Sequence, residues 1–302
     1  MMPLLVTGSL GIDTLETPHG RAEEVLGGSA VHFAFGAAIY TRVRLVGVVG
    51  EDFPAAMRDL LASGDIDLAG LELRKGSKTF RWSGRYHLDM NNRDTLDVQL
   101  NVLAEAAPKV PETFADSEVL FLANTHPALQ REMRAAVAGA KLTVCDTMDL
   151  WITGHREELL RTLAEVDGLI INDSEARELT GCGNLIAAGE AILGMGPRFT
   201  VIKKGEHGAM LMTGKRVTVI PAFPTKDVKD PTGAGDSFAG GMLGYLTAEG
   251  KYDDDALRRA IVHGTVVASF TIEDFSVNRI RNVTRADVEE RVKQFTAMLR
   301  IE

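Results

Sequence analysis

The sequence predicts an α/β fold, a mostly parallel sheet covered by helices on both faces, from three features of its 302 residues. Short apolar runs recur along the chain, helical patterns stand between them, and no composition shift divides the chain in two. The first run, residues 4–7, ends at Gly8, and similar runs lie at 44–49, 119–122, 142–145, 169–171 and 200–202. Continuous apolar runs of this length read as strands buried on both faces. Helical periodicity fills 30–40, 53–63, 129–139, 156–166 and 174–180, and from Ala239 onward the chain is mainly helical, through 255–273 and 285–299.

Two segments break this rhythm. Thr79 to Tyr86 and Leu96 to Leu100 are closer to alternating periodicity, with Asn91-Asn92 between them as a turn, and read as an antiparallel insertion standing off the main sheet. Residues 13–26 are too polar for a core helix and too long for an ordinary loop, so they contribute strands to the same flap. The expectation is one domain over 1–302 with a small β-sheet lid formed by about 13–26 and 77–104.

Composition narrows the function. A net charge of −9 argues against a nucleic-acid partner, because phosphate backbones are held by clustered Lys and Arg. The two cysteines, Cys145 and Cys182, form neither a disulfide framework nor a metal-type spacing, which fits a reducing cytoplasm. Residues 1–8 carry no basic leader, and no stretch approaches the ~18 apolar residues of a membrane span, so neither secretion nor a membrane is expected.

The most informative segment is Asp230-Pro231-Thr232-Gly233-Ala234-Gly235-Asp236-Ser237-Phe238, followed by a helical pattern. Glycines shape a turn and a helix opens after it, so the unpaired N–H groups of Gly233 to Asp236 suit a transferring phosphoryl group. Asp236, in the first turn, is placed to accept a proton from an attacking hydroxyl. Gly240, Gly241 and Gly244 at helical spacing predict close packing against another element or against nucleotide.

This segment resembles the second signature of the PfkB family of carbohydrate kinases, and the likeness extends over nearly the whole chain. It implies a doubly wound, ribokinase-like domain with a β-sheet lid, ATP and Mg²⁺ as cofactors, Gly233, Ala234 and Gly235 as an anion hole, and Asp236 as catalytic base. Gly8 to Asp13 resembles the family's first strand end, which makes Asp13 a ligand of the acceptor's hydroxyls. Gly27 and Gly28 resemble its glycine pair, where a sugar approaches bare backbone. Asn172-Asp173-Ser174-Glu175 resembles its NxxE motif, with Asn172 beside the nucleotide and Glu175 arranging Mg²⁺ through water. The residues alone also fit a helix N-cap there. Lys203, Lys204, Gly205 and Gly208 fall where the family contacts nucleotide, as does Thr232. Asp230 is the candidate ligand of a monovalent cation, K⁺.

The sequence departs from the ribokinase branch in two places. His32 replaces a polar Asn after the glycine pair, and Asn124 stands where a carboxylate is common, so both are acceptor-side candidates that put ribose specificity in doubt. Asp146 and Trp151 follow a strand, at the edge where open α/β sheets bind ligands. Arg81, Trp82 and Arg85 either face the substrate or lie on the lid's outer surface. The resulting expectation is an ATP-dependent kinase acting on a hydroxyl of a small sugar or sugar-like molecule. A nucleoside kinase, with Trp82 or Phe33 stacking a base, and an idle ligand-binding regulator are the alternatives. An NAD-dependent oxidoreductase is disfavoured, because no GxGxxG opens into the first helix. The lid also offers a surface for a homodimer, and the sequence leaves the oligomeric state open.

Overall fold

A computed structural model describes residues 3–214 and 216–300. Its strands, in chain order, are β1 (Leu4–Thr7), β2 (Gly11–Thr17), β3 (Gly20–Gly27), β4 (Val43–Gly50), β5 (Ile66–Arg74), β6 (Phe80–Tyr86), β7 (Arg93–Gln99), β8 (Val119–Leu122), β9 (Leu142–Cys145), β10 (Gly168–Asn172), β11 (Phe199–Lys203), β12 (Ala209–Thr213) and β13 (Arg216–Ile220). The main sheet runs β13-β12-β11-β10-β9-β8-β1-β4-β5 and is parallel from β11 to β5, with β12 and β13 added as an antiparallel hairpin at one edge.

Ten α-helices are found among the described residues: α1 (Ser29–Ala38), α2 (Ala55–Ala62), α3 (Pro127–Ala136), α4 (Asp149–Gly154), α5 (Arg156–Leu163), α6 (Asp173–Thr180), α7 (Leu185–Leu193), α8 (Ala234–Glu249), α9 (Asp254–Thr271) and α10 (Arg285–Met298). The doubly wound arrangement follows from how the strands alternate. Leu4 and Val6 enter one apolar core with residues of α1, α2, α8, α9 and α10, while Leu5 enters another with residues of α3 to α7. Ile170 and Ile171, or Val201 and Ile202, divide the same way. A strand buried on both faces must be apolar at every position, which is why these runs were continuous in the sequence.

The glycine stripe of α8 answers to packing. A Cβ at Gly240 would lie 2.2 Å from the Phe33 carbonyl, one at Gly244 2.9 Å from Ala37 Cα, and one at Gly241 2.7 Å from Val267. Backbone therefore meets backbone between α8 and α1, while α9 closes the other side. This fixes α8 between α1 and α9, and with it the turn that carries Asp236.

A second sheet, β3-β2-β6-β7, leaves the main body after β1 and returns through Gly28 into α1. Its strands lie at 11–17, 20–27, 80–86 and 93–99, and the chain turns at Leu88 and Asp89 between the last two, so Asn91 and Asn92, expected as the turn, lie at the end of the connection that the His87 N–H closes to the Asn92 carbonyl. The segment 50–52 fastens it. Asp52 accepts from the Thr79 N–H at 2.7 Å, and the Gly50 N–H donates to Thr79 Oγ1 at 3.0 Å. Strands β5, β12 and β13 and helices α4 and α7 were not expected from the sequence.

Candidate active site

The carboxyl ends of the parallel strands deliver most of the site. The residues after β1, β8 and β9 lead to Asp13, Asn124 and Asp146, and β10 and β11 end on Asn172 and Lys203, along one edge of the sheet. The chain winds toward β4 on one side of β1 and toward β8 on the other, so the edge includes the topological switch point where open α/β sheets hold ligands.

Helix α8 points its N-terminus at this edge. Gly233 is its N-cap in the left-handed conformation, with φ of 74°, and no side chain caps the helix. A Cβ there would lie 2.2 Å from the His32 ring, so only glycine allows the turn to rest on that imidazole. His32 is 2% exposed and neither ring nitrogen has a partner; burial depresses its pKa to about 4, so it supports the turn as a neutral ring. A Cβ on Gly235 would stand 2.6 Å from Lys203 Nζ, which places an ammonium directly over the open N–H groups. Asp236, one residue on, has its pKa raised to about 6 by burial, with Lys203 and Arg93 pulling the other way. A carboxyl so poised is a proton acceptor near neutral pH.

Across the cleft, Asp13 is 4% exposed, and its pKa is raised to about 7 by burial and by the charges of Asp230 and Asp236. Its Oδ1 is buried without a partner, an exception among buried polar atoms. A Cβ on Gly27 would sit 1.9 Å from the Asp13 carboxylate, so that glycine makes its room, and Gly28, at φ of 105°, lets the chain pass the Ser9 carbonyl. In the second sheet Asp13 is level with Trp82 on β6. Trp82, Gly84 and Tyr86 share one face, the indole lies across Gly84, and Thr232 Oγ1 donates to Tyr86 Oη at 3.3 Å, so this face looks into the cleft. Arg81 pairs instead with Glu24 and Asp52, and Arg85 with Glu16, which puts both on the outer face. Phe33 is fully buried and stacked on Phe121, so of the two aromatics considered for a base only Trp82 is reachable.

Asn172 and Glu175 form a capping box at the start of α6. Glu175 Oε2 accepts from the Asn172 N–H at 2.9 Å and Asn172 Oδ1 from the Glu175 N–H at 2.8 Å. The helix cap and the NxxE motif are thus the same feature, which locks Glu175 in place with one carboxylate oxygen uncommitted. Burial raises Glu175, and Lys203 opposes the shift. Asp146 stands near both. It is buried, its Oδ1 has no partner, and burial with the charge of Asp236 holds it well above the usual carboxylate range. Lys204, Gly205 and Gly208 form a tight turn after β11, closed by the Lys204 N–H to the Gly208 carbonyl at 2.7 Å. The lid turn reaches it, since Asn91 Nδ2 donates to Glu206 at 3.0 Å.

Two expected residues are held by neighbours. Asn124 Oδ1 accepts from the Trp151 indole at 2.8 Å and its Nδ2 faces Met148 Sδ at 3.0 Å, while Trp151 packs edge-on against His126. Asp230 is fully buried; its carboxylate accepts from the N–H groups of Thr232 at 3.0 Å and Ser276 at 3.3 Å. Sequence reasoning missed Tyr86 and Arg93, which flank the 87–92 connection as a cross-strand pair.

The pfkB family carbohydrate kinase profile matches residues 13–281. A cytidine kinase of Thermococcus kodakarensis is 32% identical over 252 residues, 81% of this chain and 89% of that protein. A fructokinase of Klebsiella pneumoniae is 26% identical over 82% of this chain and 86% of its own length. Among solved structures, the aminoimidazole riboside kinase of Salmonella enterica, complexed with aminoimidazole riboside and an ATP analog, superposes with a TM-score of 0.75 at 19% identity, covering 96% of this chain and 99% of that one. A profile over most of the chain and a relative at this identity make the chain a member of the pfkB family of carbohydrate kinases, phosphotransferases that act on a hydroxyl group.

Proposed function

We propose that this chain is an ATP-dependent nucleoside kinase, which transfers the γ-phosphoryl group to a hydroxyl of the sugar of a nucleoside. The observation that carries the reading is the placement of Trp82 level with Asp13 on the inner face of the second sheet. A ribose held by Asp13 puts its base within reach of that indole, and aromatic stacking tolerates any base. The cytidine kinase likeness supports the same choice.

In this reading Asp13 accepts hydrogen bonds from sugar hydroxyls and orients the acceptor. Asp236 takes the proton of the attacking hydroxyl, while the N–H groups of 233–236 and Lys203 stabilise charge on the transferring group. Asn172, Lys204, Gly205, Gly208 and Thr232 border the nucleotide. The second sheet acts as a lid that excludes water, latched by Tyr86 to Thr232 and by Asn91 to Glu206.

Mg²⁺ fits the oxygens present. Glu175 and Asp146 offer uncommitted carboxylate oxygens near Lys203, and no cluster of three or more His, Cys, Asp or Glu among the described residues forms a cage, the pattern of a cation held mostly by phosphates and water. Bound there, it neutralises phosphate charge. A monovalent cation fits Asp230, whose buried carboxylate has only neutral N–H donors while Lys229 is committed to Asp274. Assembly through the lid is supported by β7, an edge strand whose Leu96 and Val98 are 45% and 47% exposed. Cytoplasmic location rests on the two unpaired cysteines.

The test is an ADP-release assay across nucleosides, free sugars and polyols, with potassium or choline as the monovalent ion. Nucleosides should be turned over with kcat/KM at least about tenfold above any free sugar, the effect of about 1.4 kcal/mol of base contact, and potassium should raise the rate. A free sugar preferred over every nucleoside overturns the nucleoside assignment.

A further inference from the structure

We propose that Arg93, carried into the site by the second sheet, is a catalytic residue whose guanidinium grips the phosphoryl group during transfer. The inference rests on the kinase reading above and adds a residue that no motif marks. Arg93 opens β7 directly opposite Tyr86, and residues opposed across two strands project from the same face. Tyr86 meets Thr232 of the turn that precedes Asp236, so the face shared by Tyr86 and Arg93 looks onto the start of α8.

The guanidinium carbon of Arg93 lies 5.9 Å from the centre of the Trp82 ring, a cation–π arrangement that holds it on the inner face. Among the described residues it has no hydrogen-bond or ion-pair partner. Arg81 and Arg85, on the outer face of the neighbouring strand, are both neutralised by carboxylates. An inward cation left without an anion, in a chain of net charge −9, is available for one that arrives with substrate.

Its location says which anion. Besides Lys203, Arg93 is the basic group whose charge reaches both Asp236 and Glu175. It therefore stands toward the space between the start of α8 and the start of α6, where a phosphoryl group passes from nucleotide to acceptor. Phosphoryl transfer spreads negative charge over three equatorial oxygens. Lys203 meets that charge as a point cation, whereas a guanidinium offers a planar fork of donors that binds two oxygens at once. Carriage on the lid gives the arrangement a purpose: the second cation is in place only when the sheet covers the acceptor.

A phosphate already present on the acceptor would have the same chemistry, and kinetics separate the two sources. In Arg93→Ala, kcat should fall roughly 10²- to 10³-fold, at or below the lower end of effects seen for arginines donated to transferring phosphoryl groups. Acceptor KM and ADP affinity should stay within about threefold. Guanidinium ion in solution should restore part of the lost kcat, which it cannot do for a residue that only holds the fold. Arg93→Lys should recover less than half of the loss, and the melting temperature should match wild type, since the side chain is exposed. Unchanged kcat, a loss confined to acceptor KM, or a loss with no response to guanidinium each overturns the proposal. Asp236→Asn is run beside it: if that variant also keeps full turnover, the kinase mechanism itself fails, whereas full turnover in Arg93→Ala alone removes only this inference.

Discussion

Asp236→Asn should bind ATP within a few-fold of wild type and turn over roughly 10²- to 10⁴-fold more slowly, the range for losing a positioned base. The substitution keeps the shape of the first turn of α8, so the N–H groups of 233–236 and the ammonium of Lys203 still receive the phosphates. It removes the only group in that turn that can accept the proton of an incoming hydroxyl. Isothermal titration with ATP and a coupled ADP assay check the two halves. Intact binding with lost turnover also separates an enzyme from a ligand-binding regulator, since a regulator has no turnover to lose.

The second large effect concerns Asp13. Burial raises its pKa from 3.8 to about 7, so the folded protein resists its ionisation. Below about pH 4 the carboxyl is protonated in both folded and unfolded chains and costs nothing, while the penalty grows as pH rises and is complete above about pH 7. The displacement corresponds to about 4 kcal/mol at pH 8. Asp13→Asn keeps an oxygen for the Gly28 N–H and removes the charge, so it should raise the melting temperature at pH 8 and leave it nearly unchanged at pH 4. Acceptor KM should rise at least about 100-fold, because a charged acceptor of sugar hydroxyls is lost. Thermal melts at the two pH values and acceptor kinetics measure both. A destabilised variant at pH 8 contradicts the account. The stabilised variant expected here would make the site an instance of stability given up for binding.

Much of the fold and of the site is legible in the sequence. The turn at 230–236 fixed the start of α8 because glycine, proline and a helical pattern have few joint solutions, and the fully buried parallel strands betrayed themselves as continuous apolar runs. Edge strands did not. β5 and β13 mix polar and apolar residues because part of their surface meets solvent, so they carry no such run. Which face of the second sheet looks inward was also hidden. Trp82, Arg81 and Arg85 are neighbours in sequence, and only the contact of Tyr86 with Thr232 shows that the tryptophan faces the cleft and the two arginines do not. The neighbours of His32 and Asn124 were hidden as well: one lies beneath Gly233 and the other is held by Trp151, both decided by long-range packing. Arg93 carries no motif, because its meaning comes from its partner across a hairpin.

The central claim, that the carboxylate of Asp236 activates the acceptor, is tested most directly by the pH dependence of kcat at saturating acceptor in wild type and in Lys203→Met. Wild type should gain activity with pH through an acid limb near 6 and then level off, as the raised carboxyl loses its proton. Without the ammonium that favours the ionised form, the limb should move to higher pH. A profile flat from pH 5 to 8, or an acid limb that stays in place when Lys203 is replaced, would contradict it.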